Sequence, residues 1–252
     1  MAEENVAPKE ENKSDEKSKV LKEFVKELTG ILPEGNLISV MSFTPWYMGM
    51  PTDEVGTWIV VNKLDAEVME KLAVLSQKYV TPTFGLPIVS TLEEIEGIND
   101  SFPISLFDIL TGYNVEYGQD LFEKVEIDTR GLRAQVEMQL RTMVMMMRQR
   151  YLETNFSEPG AYARLLSWVI KDVIVASRLV LLLPMGKYIE SKEDIINEMG
   201  KYLGTELKDN LKELTLLLDS KEPITKEKAN AYYFKATDFV SKLLVYVDKI
   251  GD

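Results

Sequence analysis

Residues 39–61 read SVMSFTPWYMGMPTDEVGTWIVV and set an acidic pair, Asp53 and Glu54, between two apolar runs. Two carboxylates at positions i and i+2 of a strand point to one face. There they can hold two divalent cations that clamp the attacking and leaving oxygens of a phosphoryl transfer. Here that spacing fails in both registers, because the residue two beyond Asp53 is Val55 and the residue two beyond Glu54 is Gly56. Neighbouring residues on a strand face opposite sides, so Asp53 and Glu54 do not make the pair together either. The 252 residues include no cysteine and no histidine, which removes thiolate nucleophiles, imidazole acid/base chemistry, disulfides and the usual zinc ligands. Any metal would be a hard ion held by oxygen. No Gly-x-Gly-x-x-Gly, Walker loop or Gly-x-Ser-x-Gly occurs, and a Ser/His/Asp triad is ruled out by composition.

The elements that must position these residues follow from hydrophobic spacing. Residues 1–16 are acidic and nearly free of apolar side chains, the composition of a disordered tail and unlike an export signal. From Lys17 the apolar residues Val20, Leu21, Phe24, Val25, Leu28 and Leu32 recur at helical spacing until Pro33-Glu34-Gly35 stops them. Residues 36–43 and 57–61 read as strands, 65–79 as a helix capped by Asp65, and 84–89 as a strand weakened by Pro87. Thr91 and Glu94 have capping-box spacing for a short acidic helix, where Glu93, Glu94 and Glu96 suit the positive end of the helix dipole. Residues 102–110 and 113–117 read as strands. Beyond Asp128 the pattern predicts only helices, over 129–152, 159–183, 192–203, 206–219 and 226–250. Asp128, Ser191, Thr205 and Thr225 stand at the cap positions, and Pro159 suits a first turn. No internal repeat and no heptad run long enough for a coiled coil is present.

The segments 36–63 and 102–120, the latter reading FPISLFDILTGYNVEYGQD, are similar to the minimal nucleotidyltransferase superfamily in the two-domain arrangement of the kanamycin nucleotidyltransferase type. The resemblance implies an α+β (α/β-type) domain with a small mixed sheet, followed by an all-α helical bundle. The expected division is a tail over 1–16, a nucleotidyltransferase-like domain over 17–127 and a bundle over 128–252. Active relatives end one strand in Gly-Ser, whose backbone donors approach a triphosphate, and carry Asp-x-Asp on the next strand for two Mg²⁺. Laid on this chain, Thr44-Pro45 falls at the Gly-Ser positions, and Val55 and Thr57 fall at the two aspartates. Thr44 restores a Cβ, Pro45 deletes a donor, Val55 cannot ligate and Thr57 offers one neutral oxygen. The family's third carboxylate would be Asp108. The resemblance therefore implies a scaffold without the metal site: no catalytic residue, no cofactor, and Mg²⁺ only if Asp53, Glu54 and Asp108 build an atypical active centre.

Other candidates have competing roles. Trp46, Tyr47, Met48 and Met50 replace a polar phosphate loop with large apolar groups, which either fill the vacated cleft or form a partner surface. Leu132, Val136, Leu140, Met143 and Met147 line one helix face and read as core. Arg130, Arg141 and Arg148 lie within about 20° of one another on the opposite face. They are either a solvated row, with Glu137 one turn before Arg141, or phosphate contacts for a nucleotide.

Charge limits the partners. With a net charge of −12 and 45 % apolar residues the chain is globular and repels nucleic-acid phosphates and anionic lipid over most of its surface. The apolar stretch 165–185 contains Lys171, Asp172 and Arg178, which fits a buried helix and not a membrane span. The expectation is a cytoplasmic protein that acts through a protein partner or self-association, with a nucleotide as the other ligand class. Nucleic acid and membrane are not expected.

Overall fold

The computed structural model describes residues 10–47, 50–96, 98, 103–123, 125, 127, 129–189, 191–220 and 222–250. The chain divides into two compact units, one of residues 1–47, 51–101 and 105–126, the other of residues 48–50, 102–104 and 127–252.

The first unit is an α+β structure built on a small mixed sheet. The elements that lie wholly or partly in it are α1 (Glu10–Ile31), β1 (Leu37–Phe43), β2 (Trp46–Tyr47), β3 (Met50–Pro51), β4 (Gly56–Val61), α2 (Ala66–Tyr79), β5 (Ile88–Thr91), α3 (Leu92–Glu96), α4 (Pro103–Leu110) and β6 (Asn114–Gly118). The four main strands lie in the order β5-β4-β1-β6, with β1 antiparallel to both neighbours and β4 parallel to β5. Leu21, Phe24 and Leu28 of α1, Leu32 just past its end, and Val68, Leu72, Leu75 and Tyr79 of α2 pack onto Val40, Ile59 and Val61 of the sheet. This layer of helices on one sheet face is the core of the unit. Asn36 pins the start of β1, since its amide donates to the Lys63 carbonyl at 3.0 Å and its Oδ1 accepts from the Lys63 N–H at 2.8 Å.

The Asp65 side chain caps α2 by accepting from the Val68 N–H at 3.1 Å. Thr91 and Glu94 form the expected reciprocal box, with the Thr91 N–H donating to Glu94 Oε2 at 2.7 Å and the Glu94 N–H to Thr91 Oγ1 at 3.3 Å.

Three local expectations are corrected. Helix α1 begins at Glu10, inside the stretch expected to be a disordered tail; residues 1–9 lie outside the described residues. Glu and Lys are good helix formers, and a helix already nucleated by its packed half extends through them at little cost. Residues 103–110 form α4 and not a strand. Pro103 sits at the first helical position, where its fixed φ is favourable, and Leu106 and Ile109 are buried three residues apart on one face. Strand β5 starts after Pro87, which lacks the ladder donor, and Phe84 joins only isolated bridges to Val55 and Thr81.

The second unit is helical: α5 (Thr129–Glu153), α6 (Ala161–Met185), α7 (Lys192–Tyr202), α8 (Thr205–Asp219) and α9 (Lys226–Lys249). Helix α6 packs against α5, α7, α8 and α9 and is buried along most of its length, as its nearly unbroken apolar sequence requires. Its Asp172 is buried against Arg150 of α5 in an ion pair, while Lys171 is exposed. Among the described residues no helix is long and apolar enough to cross a membrane.

Leu132, Val136, Leu140, Met143 and Met147 of α5 are all buried, so the methionines on that face are core. Ser191 and Thr225 cap α7 and α9 through the Asp194 and Lys228 N–H groups. Thr205 does not cap α8. It is the first helical residue, preceded by Gly204 at φ +97°, and no side-chain bond caps that end. Pro159 lies in the turn ahead of α6, which Gly160 enters at φ +75°. Asp128 lies outside the described residues.

Candidate functional site

Strand β4 alternates in the way the sequence requires. Across the β1–β4 ladder Thr57 pairs with Ser42 and Ile59 with Val40, so Thr57, Ile59 and Val61 share one face with Ser42 and Val40. That face is the one covered by α1 and α2, and Val55 packs against the same apolar cluster. Thr57 is 0 % exposed, and its Oγ1 is buried without a hydrogen bond among the described residues. Ser42, also buried, donates its hydroxyl to Glu116 Oε1 of β6 at 2.6 Å. Of the two positions at which the resemblance places metal-binding aspartates, Val55 therefore packs against a cluster that includes Phe24, Phe84, Ile59 and Val61, and Thr57 lies fully buried on the same face of the sheet.

The turn between β1 and β2 is closed by packing. Phe43 pairs with Gly56, and a Cβ added to Gly56 would come within 2.7 Å of the Phe43 ring and 2.9 Å of Pro45 Cγ. A side chain at Gly56 would have to displace those two rings. Pro45 has no N–H to offer an anion, its carbonyl accepts from the Thr52 N–H at 2.9 Å, and Thr44 is exposed.

Asp53 and Glu54 sit in the bend ahead of β4, not on a strand. Lys17 of α1 donates to Asp53 Oδ1 at 2.5 Å and to its carbonyl at 2.8 Å, and Glu54 lies against Gly85. Beside them Glu16, Lys17, Val20, Thr81, Thr83 and Phe84 line a cavity of about 290 Å³. Asp108 is half-buried on α4. Among the described residues no three acidic side chains converge to hold a metal ion.

No protein-family profile matches the chain, and no curated protein matches it. Among solved structures, one match is a spectinomycin adenyltransferase from Enterococcus faecialis, crystallised with ATP and spectinomycin. It is 15 % identical, with a TM-score of 0.48, over 88 % of this chain and 98 % of that one. Likeness of this degree says nothing about the ligands of this chain.

The arginine row of α5 is exposed as its spacing requires, but its members differ. Glu137 accepts from Arg141 at 2.7 and 2.9 Å and also pairs with Arg133, and Asp248 lies 3.7 Å from Arg141. Those carboxylates neutralise Arg141 and hold its pKa above the usual value, Glu137 being the main cause. Arg148 has no ion pair among the described residues, and Arg130 is exposed near the helix start. Of the apolar loop, Met48 and the side chains of Trp46, Tyr47 and Met50 lie outside the described residues.

Sequence reasoning missed Ser42 and Glu116. Their meeting depends on β6 lying beside β1, with a register shift between Val40 and Met41, and no local pattern announces that neighbour.

Proposed function

We propose that this chain is a nucleotidyltransferase-like protein that has lost two-metal chemistry and acts as a cytoplasmic binding or regulatory module through protein contacts. The single observation that carries the reading is the direction of Val55 and Thr57, which face the helix-covered side of the sheet. A cation pair there would need carboxylates, water and an open approach, and the space is taken by apolar side chains. Pro45 packed on Gly56 supports the same reading, because the turn presents rings where backbone donors would have to meet phosphate.

Calorimetry with ATP, GTP, CTP and UTP, with and without Mg²⁺, tests it. The expected result is no magnesium-dependent binding. Transfer of a nucleotidyl group that disappears on Asp108→Ala would overturn the proposal in favour of an atypical active site. Saturable binding indifferent to Mg²⁺ would replace it with nucleotide sensing.

A further inference from the structure

Helix α5 carries five of the seven arginines of the chain and five of its 12 methionines. In a protein of net charge −12 this helix is itself basic, with five arginines against Glu137 and Glu153, although Asp172 of α6 and Asp248 of α9 meet Arg150 and Arg141. Its inner face is the core stripe already described. Its outer face is apolar as well. Met138 and Met145 are each 55 % exposed, Leu152 is 83 % exposed, and Met146 borders them at 37 %.

Met138, Met145 and Leu152 repeat every seven residues, and Thr142 and Gln149 fill the intervening turns. Such spacing keeps one stripe facing one straight partner helix over two heptads, too short for a lasting coiled coil but long enough for docking. By helical rise the stripe runs about 21 Å, so a partner helix of roughly 14–16 residues covers it. Met and Arg are also the side chains enriched at interface centres, where flexible thioethers and guanidinium groups adapt to a partner.

We propose that the outer face of α5 docks an acidic amphipathic helix of another protein. Aliphatic or aromatic anchors of that helix lie over Met138, Met145 and Leu152, and its carboxylates meet Arg148. Arg148 is placed for this because it is exposed beside Met145 and lacks an ion pair among the described residues, unlike Arg141. Charge argues against a second copy of this chain. Antiparallel self-pairing about Met145 sets Arg148 beside Thr142, Arg141 beside Gln149 and Glu137 opposite Glu153. Parallel pairing sets each arginine against its own copy. Neither gives the arginines a carboxylate, whereas an acidic helix does. The inference deepens the interaction reading given above and rests on it.

The test is selection, against the full chain, of a displayed library of amphipathic helices of about 16 residues with varied flanking charge. The expected winners carry seven-residue apolar spacing and flanking Glu or Asp. An enriched peptide followed by fluorescence polarisation should bind at least tenfold more weakly to Met145→Asp and to Arg148→Glu, both still folded by circular dichroism. A Glu→Lys change in the peptide should restore binding to Arg148→Glu. Enrichment of basic or uncharged helices, no enrichment at all, or binding indifferent to both substitutions would overturn the proposal. So would a dimer in light scattering that Met145→Asp dissolves, or binding to anionic vesicles in place of peptide. None of these failures touches the metal-site reading, which calorimetry decides separately.

Discussion

Ser42 and Thr57 face each other across the β1–β4 ladder on the helix-covered side of the sheet, yet Ser42 donates its hydrogen bond to Glu116, and Thr57 Oγ1 has no partner among the described residues. A buried hydroxyl with no hydrogen bond gains nothing from its polarity, and a charge in its place would be far worse. Thr57→Val should therefore leave stability within about 1 kcal/mol of wild type, on the favourable side. Thr57→Asp, which introduces the residue that the sequence resemblance places there in active relatives, should cost about 3 kcal/mol or more, read from the midpoint of urea denaturation. If Thr57→Asp kept the wild-type midpoint and Mg²⁺ raised its Tm, the face would be open to metal and the inactive-site proposal would fall.

Arg150 and Asp172 make the buried ion pair that holds α5 to α6. Burial pushes the Asp172 pKa above the usual carboxylate value, with Arg150 opposing that shift. Arg150→Met strands the carboxylate and should cost roughly 3 kcal/mol at neutral pH. The sign of the pH effect follows from proton counting. An acid whose folded pKa is raised binds more protons when folded than when unfolded, so stability falls as pH rises through that pKa. Losing Arg150 raises it further. The deficit of Arg150→Met against wild type should accordingly shrink as pH is lowered through the folded pKa of Asp172. A deficit that stayed constant or widened on acidification would show that the guanidinium acts there by packing alone.

The helical unit was the legible part of this sequence, because α5 to α9 hold a 3.6-residue apolar period over long windows and Ser191 and Thr225 mark two of the starts. Segment 102–110 was not. FPISLFDIL is nearly apolar throughout, so periodicity cannot tell a short buried helix from a strand, and Pro103 was the one local clue to a helix start. Alternation showed that Val55 and Thr57 share a face. Which face α1 and α2 cover is a property of strand order and crossover, and no residue on β4 encodes it. The outer stripe of α5 was hidden for a different reason: helical spacing sets Met138 and Met145 apart from Met143 and Met147, but only the folded structure shows that they stay exposed.

Tyr113 donates its hydroxyl to both Asp120 oxygens, at 2.9 and 3.0 Å, while Asp120 Oδ1 also accepts from the Phe122 and Glu123 N–H groups at 3.0 Å. Burial first, and then the hydrogen bond to Asp120, pushes the phenol up to about 12. Among the 11 tyrosines of the chain, this one should ionise late in a phenolate absorbance titration. Tyr113→Phe should remove that late step, and Asp120→Asn should move it to lower pH. Because the folded pKa lies above the unfolded one, the interaction stabilises the fold fully below the unfolded value, about 10, and is lost progressively toward 12. Loss of the late step in neither variant would place the high-pH group elsewhere.

Gly118 closes β6 at φ +79°, and a Cβ built there would lie 2.0 Å from the Ile38 carbonyl oxygen, an atom of the neighbouring strand backbone. Neither the dihedral nor the space admits another residue, and the obstructing atom cannot rotate away as a side chain would. Gly118→Ala should cost about 2 kcal/mol or more. Gly112, two residues from β6, is the control, since a Cβ there meets nothing within 4 Å and φ is not in the left-handed range. Gly112→Ala should be neutral within about 0.5 kcal/mol. The pair separates register from general chain flexibility. If β6 is held beside β1 as the Ser42–Glu116 bond requires, only the first substitution should lower the unfolding midpoint. Equal effects of the two would mean that the β1–β6 pairing does not hold in solution.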